Sequence, residues 1–262
     1  MMAIMFFIWG FYELSIFAAS ISAIFLRACY TRSMSDLLRI ATIVLVGVVQ
    51  ASLQLSLGGL ILLYHASMGH HRRRKTRFLA RNYIIGAAMI SFLTVCALGF
   101  LISTVFNGAL RTEYLLICVG IFLASALIMW FFYYRKGRNT ELWLPRSFTR
   151  FIHRRAKNTN NNIEAFSLGI LSSFAEMPLS LALYFVVANC ILNLSAQYQI
   201  AAVIGYTIMS VIPLLVLKLH VKSGKNVIEV QKWRVRNKAF ARIISGSGFL
   251  VLAAFIAVYW VI

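Results

Sequence analysis

The chain has 262 residues, 61% of them hydrophobic, set against seven acidic residues and a formal charge of +19. A soluble domain of this length cannot cover so much apolar surface, which excludes a water-soluble enzyme or binding module and leaves an integral membrane protein. The apolar runs continue for about 20 residues, enough to cross ~30 Å of hydrocarbon as a helix, and they lack the alternation of a barrel strand.

In chain order, the pattern predicts an all-α polytopic membrane protein with about seven transmembrane helices. These lie near 4–26, 41–64, 83–106, 113–134, 165–189, 198–218 and 243–262. The first run lacks the basic flank of a signal peptide and reads as a retained span. It carries Glu13, which either functions or forms an interhelical hydrogen bond. Lysine and arginine number three in 27–40, six in 65–82, one in 107–112, eight in 135–164, none in 190–197 and eight in 218–242. From the second loop onward this alternation follows the positive-inside rule. It puts 65–82, 135–164 and 218–242 in the cytoplasm of a plasma-membrane protein, with a cytoplasmic N-terminus and an external C-terminus. Arg27, Arg32 and Arg39 are the misfit, since they would then lie outside.

The basic runs read as membrane-surface elements. "LWLPRSFTRFIHRRAK" (142–157) sets Leu144, Phe148, Phe151 and Ile152 on one helical side and Arg146, Arg150 and Arg154 on another. Such a helix can lie in the interface with its guanidinium groups on anionic lipid phosphates, or the charges can simply set topology. "HHRRRKTR" (70–77) resembles a nucleic-acid patch only in isolation, so no nucleic-acid partner is expected. "WFFYY" (130–134), Tyr259 and Trp260 suit the aromatic belts. The four cysteines, Cys29, Cys96, Cys118 and Cys190, form no C-x-x-C pair, and the five histidines lie in or beside basic loops. No metal site, haem or other cofactor is expected.

"EAFSLGILSSFAEMPLSLALYFVVA" (164–188) interrupts this apolar scheme. Glu176 lies about 16 Å into its span at helical rise, where a carboxylate costs on the order of 3 kcal/mol. It should face a cavity or a polar partner. Pro178 cannot donate to the Phe174 carbonyl and marks a helix break, with Pro213 a second break or a packing kink. Ser172, Ser173 and Ser180 share the face of Glu176.

Laid beneath this helix, "GVVQASLQLSLGG" (47–59) pairs Gly47 with Gly169, Gln50 with Ser172, Gln54 with Glu176 and Gly58 with Ser180. Spans three and six pair Tyr83 with Tyr198 and Gly86 with Ala201; spans four and seven pair Gly120 with Gly248. The expected organisation is an additional N-terminal helix and loop (1–40), a three-helix repeat (41–134), a basic cytoplasmic linker (135–164) and a second, inverted three-helix repeat (165–262). Three spans per unit oblige the second copy to insert upside down, an architecture common among secondary transporters. Gln50, Gln54 and the serines would line a pathway or pack helices.

"GILSSFAEMPLSLALY", with its glycine, small polar stretch and proline, resembles the first helix of each repeat in the lysine-exporter (LysE) superfamily. That superfamily includes amino-acid and metal-ion exporters and the CcdA/DsbD thiol-electron carriers. The likeness extends in topology over 41–262 and implies an exporter fold. The carriers' proline–cysteine pair would fall near Glu176 and Met177, where there is no cysteine, and this core keeps a single intramembrane acid where manganese exporters keep several.

The expected function is a secondary transporter exporting a small polar or cationic solute, with Glu176 as the binding or proton-coupling group and a homo-oligomer possible. The alternative is a membrane scaffold or assembly subunit that binds anionic lipid or a protein partner through its basic loops. No catalytic dyad or phosphate-cradling glycine loop points to an enzyme, and the last span has no lysine to hold retinal.

Overall fold

The computed structural model describes residues 34–67, 73–106, 112–131, 161–222 and 238–261. They form six helices: α1 (Met34–Ser67), α2 (Arg73–Val105), α3 (Thr112–Phe131), α4 (Asn162–Leu192), α5 (Ala196–Lys222) and α6 (Lys238–Ile256). α6 runs into a π-helical turn, Ala257–Val261. Helices α1 to α5 are long and apolar enough to cross a membrane, whereas the apolar part of α6, Ser245–Tyr259, is shorter.

The protein is thus an all-α, multi-spanning membrane protein, but the expectation of about seven transmembrane helices is corrected. Among the described residues there are six helices, of which five have spanning length. The apolar part of α6 reaches only about 22 Å at helical rise, short of ~30 Å. The run at 4–26 with Glu13 lies outside the described residues, as do Arg146, Arg150 and Arg154. Loop boundaries move as well. Arg39 and the basic residues from Arg73 to Arg81 stand on helices, because α1 and α2 extend beyond their apolar runs.

Local sequence explains the start of the central helix. Asn161 is extended (φ −108°, ψ 152°), and its backbone N–H donates to the Glu164 carboxylate at 3.4 Å. Glu164 thereby satisfies a donor that the first turn leaves open. At the other end of α4 the Asn193 carbonyl accepts a hydrogen bond from Arg39 Nη1 at 2.6 Å.

Such contacts give the helix directions. Arg39 meets Asn193 and Gln50 meets Tyr184, so α1 and α4 are antiparallel. Tyr83 meets Ser172 and Ser91 approaches Tyr184, so α2 and α4 are parallel. The main packing partners are α2 with α4, α1 with α5 and α3 with α6, followed by α2 with α5 and α1 with α4. Exchanging α1, α2 and α3 for α4, α5 and α6 leaves this set of neighbours unchanged.

Glycine permits the closest crossing. A Cβ on Gly86 would fall on the Phe166 carbonyl oxygen, and one on Gly169 on the carbonyl oxygen of Tyr83. Absent side chains let the α2 and α4 backbones touch, as small residues do between membrane helices. The buried core gathers Val46, Phe122, Leu183, Tyr206, Phe249 and Leu252 from the other helices and α4. Ile85, Phe92, Phe100, Ile117 and Ile200 are exposed, as suits side chains turned toward lipid acyl chains.

Candidate functional site

Glu176 lies near the midpoint of the 31-residue α4 and is 9% exposed. A carboxyl at this position has few routes to water. The described residues offer it neither a salt bridge nor a side-chain hydrogen bond. It lies within electrostatic range of two tyrosine hydroxyls, Tyr83 from α2 and Tyr184 from its own helix.

Those two tyrosines organise the surroundings. Tyr83 Oη donates to Ser172 Oγ at 2.8 Å, tying α2 to α4 on one side of Glu176. Two turns along α4, Tyr184 Oη accepts from Gln50 Nε2 at 3.3 Å and lies 3.2 Å from Ser91 Oγ. This joins α1, α2 and α4 at one hydroxyl. The ring of Tyr206, from α5, meets the Tyr184 ring edge-on with centroids 6.1 Å apart. Four helices therefore contribute polar groups to one buried cluster. Two atoms of the cluster are left over: Gln50 Oε1 and Tyr206 Oη are buried and have no hydrogen-bond partner. A buried polar atom without a partner costs about 1–3 kcal/mol, so two in one cluster mark it off from ordinary packing.

Of the six residues read from sequence as binding or coupling groups, five are buried and one lies outside the described side chains. Gln50, Ser172, Ser173, Glu176 and Ser180 are all buried. Their roles divide, because Ser180 Oγ donates to the Glu176 backbone carbonyl at 3.0 Å, which turns it back on its own helix. Gln54 stands on α1, but its side chain lies outside the described residues. Pro178 and Pro213 do not interrupt their helices; α4 and α5 continue through them. The expected breaks are local losses of one backbone hydrogen bond.

Sequence reading did not single out Ser91, Tyr184 and Tyr206, and it placed Tyr83 at the start of a span. The signal was available in the tyrosines. Tyr184 and Tyr206 lie deep in apolar runs, away from the interfacial belts, and a phenol hydroxyl there needs a partner. Among the described residues, no three His, Cys, Asp or Glu side chains gather as a metal site requires.

Arg39 shows a second departure. It bonds both Asp36, at 2.9 Å, and the Asn193 carbonyl, so this misfit cation neutralises the carbonyl end of α4. It also places the start of α1 and the 190–197 connection at the same end of the bundle.

No family model, curated protein or solved structure matches the chain.

Proposed function

We propose that the protein is a secondary transporter that moves a small polar or cationic solute by alternating access, with Glu176 binding the solute or carrying the coupled proton. The observation that carries this reading is the buried Glu176 carboxyl, with no countercharge among the described residues, on a helix that shares a polar cluster with α1, α2 and α5. An acid at this depth is costly, and low dielectric lets a proton and a cation compete for it.

The arrangement of helices supports the same reading. Antiparallel α1 and α4, and a set of neighbours unchanged when α1–α3 and α4–α6 exchange, are what an inverted repeat requires. The packing also suggests a change of register. Gly169 is met by the stretch of α2 around Gly86, and Gly47 by Met209 of α5, which makes Tyr206 the counterpart of Tyr83 in place of Tyr198. The resemblance of 169–184 to the first helix of LysE-superfamily repeats agrees with this reading, and export follows from that resemblance. The LysE likeness, the plasma-membrane location and the orientation all belong to the proposal.

The test is a solute screen on the full chain in proteoliposomes, with and without a pH gradient. At least one small polar or cationic solute should drive proton movement above that of protein-free vesicles. A chain that moves no solute under either condition contradicts transport. If alanine at Arg150, Arg154 and Arg155 then abolishes a cellular function that Glu176→Gln spares, the scaffold reading replaces it.

A further inference from the structure

Resting on the transport reading, the chemistry of the cluster also narrows the solute. Its charge inventory is simple. α4 supplies one carboxyl, Glu176; α2 supplies Tyr83, α4 Tyr184 and α5 Tyr206 as the other titratable groups; α1 supplies the neutral Gln50. No lysine, arginine or histidine approaches Glu176 among the described residues. The described residues can thus balance one positive charge and offer nothing to pair with a negative one.

The hydrogen-bonding inventory points the same way. Gln50 gives one of its two amide N–H donors to Tyr184 and presents a bare acceptor, Oε1. Tyr206 Oη is uncommitted, and Glu176 offers carboxyl oxygens. Gln50 and Tyr206 are each 1% exposed, so these atoms are out of reach of bulk water. Three groups of the cluster can accept, Gln50 Oε1, Tyr206 Oη and the Glu176 carboxyl, and a primary ammonium carries three N–H donors and no acceptor. The rings of Tyr184 and Tyr206, packed edge to face, add aromatic surface of the kind that attracts organic cations.

We propose that the cluster around Tyr184 is a binding site for a small monovalent protonated amine that carries no carboxylate of its own. A free amino acid fits poorly, because its carboxylate would be buried without a cation. A divalent metal fits poorly too, because one carboxyl leaves half its charge unbalanced and no further anionic ligand stands by among the described residues. The amine and a proton exchange on Glu176: the arriving ammonium keeps its own proton, and the carboxyl proton leaves. Gln50 and Tyr206 are fully buried while Glu176 keeps 9% exposure, so the amine reaches the inner acceptors when α1 or α5 moves against α4.

The experiment measures binding of radiolabelled methylammonium to the purified full chain in detergent, alongside solute-driven proton movement in proteoliposomes. Saturable binding is expected, displaced by ethylammonium and unaffected by equal concentrations of lysine, glycine, sodium or magnesium. Gln50→Leu should weaken it about tenfold, the effect of losing one hydrogen bond to a charged group. Tyr206→Phe should weaken it less while keeping the core filled. The selectivity series uses wild-type protein, so a variant that fails to fold does not spoil the test. Displacement by lysine or glycine as effective as by ethylammonium overturns the inference. So does Glu176-dependent transport of amino acids or divalent metals with no amine binding, although that result leaves the transport reading standing. Amine binding without flux supports the site and contradicts transport.

Discussion

Glu176, Tyr184 and Gln50 together set the chemistry at the scale of single residues. A lone carboxyl in hydrocarbon has few cheap structural uses, and here its neighbours are neutral groups with acceptors to spare. Tyr184 Oη joins three helices, so Tyr184→Phe takes the acceptor from Gln50 Nε2 and leaves Ser91 Oγ only its bond to the Ala87 carbonyl, while hardly changing volume. We expect a loss of about 1 kcal/mol, read as a lower unfolding temperature in detergent with the helical circular dichroism retained. An unchanged melting temperature would mean that water replaces the hydroxyl. Glu176 was legible in the sequence because a charge interrupts an apolar run. The tyrosines were not, because an aromatic ring inside such a run reads as apolar until its hydroxyl is placed.

At the scale of helices, the α2–α4 crossing is held by two glycines whose missing side chains let the backbones meet. Gly169→Leu would drive its side chain into the Tyr83 carbonyl, and α2 would have to lift away. Overpacking of this kind costs about 1–3 kcal/mol, and it should also part Tyr83 from Ser172. The measurements are thermal stability and the yield of monodisperse protein; wild-type behaviour would contradict the crossing. The end of α4 offers a gentler test. Arg39→Ala removes both the bond to Asn193 and the charge at the carbonyl end, with an expected loss of about 1–2 kcal/mol, whereas Arg39→Lys should recover part of it. The pairing of Gly47 with Gly169 could be seen in the sequence because both are followed by polar residues at helical spacing. The partner of Gly169 could not, since it depends on the depth at which α2 crosses, and the basic start of α2 hid how far that helix extends.

For the whole molecule, the exchange of neighbours between α1–α3 and α4–α6 is the main organising fact. Sequence matching suggested two related triplets, yet it took a register that puts Tyr83 over Tyr198, because apolar helices align well at several offsets. The glycine contacts, Gly169 on Tyr83 and Gly47 on Met209, favour the register proposed above. The number of spanning helices was overread for a related reason, as hydropathy alone does not separate a full span from the shorter apolar stretch of α6. Arg39 and Asn193 share one end of the bundle, so their loops must share one side of the membrane. We expect a cysteine at Ala196 to react with an impermeant maleimide from outside intact cells, and one at Arg138 to react only after permeabilisation. The reverse labelling would invert the proposed orientation.

The central claim is that Glu176 couples solute movement across the membrane. Its most direct test is solute-driven proton movement in proteoliposomes holding equal amounts of wild-type and Glu176→Gln protein, both checked for monodispersity. The expected result is proton movement in the wild type and a fall to the level of protein-free vesicles in the variant. Equal rates from the two proteins would contradict it.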